Sequence, residues 1–155
     1  VFIGPCIAKK VEAREHRETI NYVLTFEEIM CMLEGKDIKF AEMSGDAAYD
    51  RDASKLGLSF PLTAGVSAAV QDTVAAMGGE VHNAQYCSGL DKCRDTVKVA
   101  AAGKLDCSYI EGMACSNGCI DGPAAVGDFH ITKVALTKYA AAAPNKQAAE
   151  DRHTK

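Results

Sequence analysis

The 155-residue sequence has no apolar run near the roughly 20 residues that span a bilayer, and no charged leader followed by an apolar stretch opens it. It has no excess of base: the formal net charge is −4, and Lys and Arg are interspersed with Asp and Glu, so no cationic stripe faces nucleic-acid phosphates. It has no internal repeat, and its cysteines do not pair off, because there are seven. These absences exclude a helical membrane anchor, a secreted disulfide framework and nucleic-acid binding. They predict a soluble cytoplasmic chain with no membrane and no nucleic-acid partner.

What is present is apolar content of 48%, enough for one domain with a buried core. The chain opens on the apolar "VFI" without an initiator Met, which reads as a piece of a longer polypeptide. "VFI" and "INYVL" read as strands, the first stopped by Gly4-Pro5. Thr25 and Glu28 have capping-box spacing before a helix whose Phe26, Ile29, Met30 and Leu33 recur at helical period, with Gly35 as its stop. Residues 36–59 read as a polar surface excursion. "TAGVSAAVQDTVAAM" reads as a helix closed by Gly78-Gly79, and "LDKCRDTVKVAAAGK" as one capped by Asp91 and ended by Gly103. "EVHNAQY" and "DCSYIEGM" complete the strands. The alternation predicts an α/β fold, a largely parallel sheet flanked by helices, over residues 1–138. Residues 139–155, Ala-rich and then charged, read as a fraying or disordered tail.

The cysteines carry the chemistry. "EGMACSNGCIDG" sets Cys115 and Cys119 in a turn built from Ser116, Asn117 and Gly118, where thiols are open to metal. Cys6 likewise follows a strand, at the carboxyl edge where open α/β sheets gather ligands. Soft thiolates select zinc or iron–sulfur clusters. Zinc is the poorer match, because His16, His82, His130 and His153 supply no second ligand pair. Cys31, Cys93 and Cys107 read as plain packing residues, whereas Cys87 either pairs with Cys93, binds metal or packs.

"GPCIAKKVEA" and "EGMACSNGCIDGPA" resemble, in order, the second and third signature motifs of the iron-only hydrogenases, written M-P-C-x-x-K-K-x-E and E-x-M-A-C-x-x-G-C-x-x-G-G-G-Q-P. "VLTFEEIMCMLEGKDIKF" is similar to the segment between them. "FPLTAGVSAAV" resembles the family's F-G-x-T-G-G-V helix start, and "YIEGMAC" its F-I-E-V-M-A-C. The resemblance covers nearly all of residues 1–135.

The resemblance implies an iron–sulfur hydrogenase, an oxidoreductase interconverting hydrogen with protons and electrons at a 4Fe-4S cluster bridged to a di-iron centre. It implies Cys6, Cys115 and Cys119 as cluster ligands, with Cys119 bridging to the di-iron centre. It also implies Lys9 as donor to a cyanide ligand, Met113 beside the di-iron centre, Glu12 as the second motif's closing acid, and Phe60, Thr63 and Val66 as cavity lining. The implied partners are an N-terminal lobe of the same polypeptide and an electron donor such as ferredoxin.

Several positions depart from the pattern. Gly4 stands for a methionine, Pro61 for a glycine and Ser116-Asn117 for Pro-Gly, while Asp121-Gly122-Pro123 interrupts the glycine-rich ending. T-S-C-C-P, the first motif, is not in the sequence. The fragment alone is therefore expected to be inactive, to lack an intact cofactor and to self-associate through the face the other lobe would cover. Two readings accompany the enzyme: a hydrogen-sensing regulator of the same family, and an iron–sulfur assembly adaptor of the same fold, a binding module.

Overall fold

The structure, a computed structural model, describes residues 1–45 and 53–146. Strand β1 (Phe2–Ile3) leads through Gly4-Pro5-Cys6 into helix α1 (Ala8–Glu15), and β2 (Val23–Leu24) leads into α2 (Phe26–Glu34). After a 3₁₀ turn at Phe40–Glu42 come α3 (Lys55–Leu58) and α4 (Gly65–Ala76). The chain continues through β3 (Gln85–Ser88), α5 (Leu90–Ala101), β4 (Ile110–Met113), a 3₁₀ turn at Cys119–Asp121 and α6 (Phe129–Ala141).

The strands pair in parallel, as a strand–helix–strand order requires, but not in one sheet. Among the described residues they make two separate two-stranded sheets, β1 with β2 and β3 with β4. The expected largely parallel sheet is corrected to this smaller α/β arrangement. The physical reason is strand length: β1 and β2 hold two residues each, because Gly4-Pro5 ends one and the Thr25 cap begins a helix after the other. So short a ladder leaves little edge on which to build.

The local signals on α2 hold. Thr25 Oγ1 accepts from Glu28 N–H while the Glu28 carboxylate accepts from Thr25 N–H, closing the capping box. Its apolar face is thinly covered, with Met30 49% exposed and Cys31, expected to pack, also exposed. On α5 the N-cap is Gly89 (φ +94°), not Asp91, which lies in the first turn. The buried apolar core is built from small side chains: Ala13, Ala69, Ala124, Ala140 and Ala143 with Val23, Cys87 and Ile120. In the excursion at residues 36–59, α3 takes a Ser54 cap, while 46–52 lie outside the described residues. Helix α6 runs through Tyr139 to Ala141, and Asn145 O accepts from Lys55 N–H; residues 147–155 also lie outside the described part. Among the described residues no helix is long and apolar enough to cross a membrane.

Candidate functional site

Three backbone segments meet at the Cys115–Gly122 turn. The first is the β1–α1 loop: Ala124 N–H donates to Pro5 O at 3.2 Å, one residue from Cys6. A Cβ on Gly122 would stand 2.9 Å from Pro5 O and 3.7 Å from Cys115 Sγ, so a side chain here would push the Cys6 loop and the Cys115 turn apart. The second segment is Pro61–Thr63, which bridges antiparallel to Gly118 through Leu62. Gly118 has φ +84°, and a Cβ on it would meet Pro61 O at 2.5 Å. Only glycine lets the FPLT segment lie this close to the cysteine turn.

The third segment is β4 itself, placed by Glu111. Helix α4 begins without a cap of its own: Ala64, its N-cap, is left-handed (φ +67°) and offers no side-chain oxygen. The buried Glu111 carboxylate supplies what is missing, accepting from Ala64 N–H at 2.9 Å and Ser67 N–H at 2.6 Å. This anion at a helix N-terminus locks the strand preceding Cys115 to the helix carrying Val66. Glu111 lies in the third motif, where nothing local marks it as a cap; the signal in the sequence that points to it is the missing cap at Thr63-Ala64-Gly65.

The three motif thiols are half-buried. Burial pushes the Cys115 thiol up, with the neighbouring Cys6 thiol and Asp121 adding to the shift. Burial likewise raises Cys119, helped by Cys6 and Cys115, while the Lys9 ammonium pulls the other way. The three thiols are thus one another's electrostatic neighbours, with one cation beside them. Lys9 is itself ion-paired to Glu12, one helical turn on. Raised thiols stay protonated at neutral pH, so binding metal here releases protons.

Among the described residues no group of three or more His, Cys, Asp or Glu is gathered tightly enough to hold a single metal ion. An iron–sulfur cluster asks for something else, because it carries its thiolates on separate corners of a cage. Cys6, Cys115 and Cys119 are free thiols and supply the soft donors such a cluster takes.

Of the remaining candidates, Thr63 has a buried hydroxyl with no hydrogen-bond partner and borders a cavity of about 440 Å³ with Tyr86, Cys87, Ser88 and Lys92. Val66 is half-buried in the first turn of α4, Met113 is half-buried at the end of β4, and Phe60 is 44% exposed. The Cβ position that the resembling motif's methionine would need at Gly4 lies 2.9 Å from the Phe2 ring.

The family described as iron only hydrogenase large subunit, C-terminal domain, has a sequence model that matches residues 1–123. The chain belongs to this family. No individual curated protein matches the chain. The hydrogenase family match spans both cysteine motifs and the whole of the segment that joins them, and α6 lies beyond it.

Proposed function

We propose that this chain forms one wall of a hydrogenase active site, with Cys6, Cys115 and Cys119 as thiolate ligands of a 4Fe-4S cluster and Cys119 as the sulfur shared with a di-iron centre. The observation that carries the reading is the docking of the Cys6 loop onto the Cys119–Gly122 turn, through Pro5 O and Ala124 N–H at 3.2 Å. It joins two motifs more than a hundred residues apart in the sequence. When bound, such a cofactor supplies the redox chemistry that interconverts hydrogen with protons and electrons. The chain's residues would hold and shield it. Lys9 is the cation beside Cys119, suited to an anionic ligand once it leaves Glu12. Glu12 keeps that cation in place meanwhile. By the family pattern Thr63, Val66, Met113 and Phe60 would line the cofactor, and of these four Thr63 borders the cavity of about 440 Å³.

The fourth cluster thiolate belongs to a T-S-C-C-P segment that this sequence does not contain, in an N-terminal lobe that would also close the cavity. An electron donor such as ferredoxin completes the partner set. A hydrogen-sensing role is the second reading, favoured by Gly4, where the Phe2 ring fills the space a methionine would enter. Anaerobic maturation of this chain joined to a T-S-C-C-P lobe tests both. Infrared carbonyl and cyanide bands that vanish in Cys119→Ser and persist in Cys31→Ser are expected, and bands surviving Cys119→Ser would overturn the ligand assignment. Fast hydrogen evolution with reduced viologen marks the enzyme, and intact bands with slow turnover mark the sensor. The chain alone should take up iron poorly and turn over no hydrogen.

A further inference from the structure

A second pair of thiols lies outside the motif set. Cys87, on β3, and Cys93, in the first turn of α5, bring their sulfurs to 3.5 Å. Cys87 is 8% exposed and Cys93 half-buried. Both lie over Gly112 of β4, whose absent Cβ would stand 3.5 Å from Cys93 Sγ and 3.9 Å from Cys87 Sγ, in contact with both. Each thiol is within hydrogen-bonding reach of a β4 carbonyl: Cys87 Sγ lies 3.4 Å from Glu111 O, and Cys93 Sγ 3.3 Å from Met113 O. Cys93 is the more exposed of the two, so a small reagent meets its sulfur first.

We propose that Cys87 and Cys93 are a reversible dithiol–disulfide pair, oxidised by thiol–disulfide exchange with a low-molecular-weight disulfide such as glutathione disulfide. In the first step the Cys93 thiolate attacks one sulfur of the reagent, forming a mixed disulfide and expelling one glutathione thiolate. In the second, the Cys87 thiolate attacks the Cys93 sulfur, forming the protein disulfide and expelling the second glutathione. Two protein thiols lose two protons and two electrons, and one glutathione disulfide becomes two glutathione molecules. Contact between the sulfurs makes the second step intramolecular, so the mixed disulfide should not accumulate. Oxidation removes both thiol protons, and with them any hydrogen bond to the carbonyls of Glu111 and Met113 on the strand that delivers Cys115. The state of this pair is thereby linked to the strand beneath the cluster turn.

The test uses the whole chain, reduced and then exposed anaerobically to glutathione disulfide, with free thiols alkylated at intervals and tryptic peptides read by mass without reduction. Trypsin cuts after Lys55, Lys92 and Arg94, so the disulfide joins the 56–92 peptide to the dipeptide Cys93-Arg94. This linked species should form first, roughly tenfold or more faster than in urea, and dithiothreitol should reverse it. Cys87→Ser should instead accumulate glutathione on Cys93. First linkage confined to Cys6, Cys115 and Cys119, or Cys87–Cys93 linkage no faster in the native chain than in urea, would overturn the proposal. So would a mixed disulfide that persists in the native wild-type chain.

Discussion

The Glu111 carboxylate accepts a 2.6 Å hydrogen bond from the backbone N–H of Ser67, 44 residues earlier in the sequence, inside the protein. This contact and its twin at Ala64 make a strand residue the cap of a helix. Glu111→Ala should leave two N–H groups without their acceptor and lower stability by about 2–3 kcal/mol. Glu111→Gln keeps one acceptor but turns an amide NH2 toward the other backbone N–H and loses the charge facing the helix dipole, for about 1–2 kcal/mol. Urea midpoints of the three proteins check the order, and equal midpoints for wild type and alanine would remove Glu111 from its capping role.

Gly118 and Gly78 share a left-handed backbone, with φ +84° and +78°, but differ in surroundings. Open space surrounds Gly78, whereas a methyl group on Gly118 would meet Pro61 O at 2.5 Å and Thr63 N at 2.9 Å. Gly78→Ala should cost about 1–2 kcal/mol, the left-handed penalty alone. Gly118→Ala should cost more by about 2 kcal/mol, because the FPLT segment must also retreat from the cysteine turn. Thermal unfolding of the two variants separates strain from collision.

Lys9 and Lys10 are adjacent and have different work. Lys10 Nζ donates to the Glu28 carboxylate at 2.7 and 2.8 Å, tying α1 to the start of α2. Lys9 is the cation beside Cys119. Lys10→Met should lower stability by roughly 0.5 kcal/mol, as exposed pairs do, with iron retention unchanged. Lys9→Met should leave the unfolding midpoint nearly fixed and, in the chain joined to a T-S-C-C-P lobe, reduce the iron retained after maturation. Equal iron contents would end the distinction.

The same Lys10 ammonium, and then the Thr25 N–H, hold Glu28 below the ordinary carboxylate range. A depressed folded pKa contributes stability above the unfolded value and loses it as pH falls through the folded one. Glu28→Gln should therefore be less stable than wild type at neutral pH. The gap should narrow on acidification through the carboxylate range and close once Glu28 is protonated. Urea midpoints against pH measure it, and a gap independent of pH would assign the effect to shape instead of charge.

The parts legible in the sequence were those with short-range causes. The Thr25–Glu28 capping box, the stop at Gly4-Pro5 and the helix beginning beside Thr63 each depend on neighbours a few residues apart. The meeting of the Cys6 loop with the Cys119 turn came through resemblance, since no local rule joins residues so distant. Two things stayed hidden because they depend on contacts across elements. One is the role of Glu111, whose partner is a helix that lacks its own cap. The other is the sheet: alternation foretold parallel pairing, but not that β1 and β2 would stop after two residues. Cys93, read as packing, does pack, and what it packs against is another thiol.

Each of the two small sheets has only one ladder, so among the described residues every strand shows its far side to no other strand. Unpaired backbone along a strand is a template for another strand, and parallel sheets occur almost only where both faces are covered. The outer edges of the two ribbons are therefore where a further strand could add in hydrogen-bonding terms. A complementary lobe that supplied strands there would join two ribbons into one continuous sheet and hold the cysteine turn from behind.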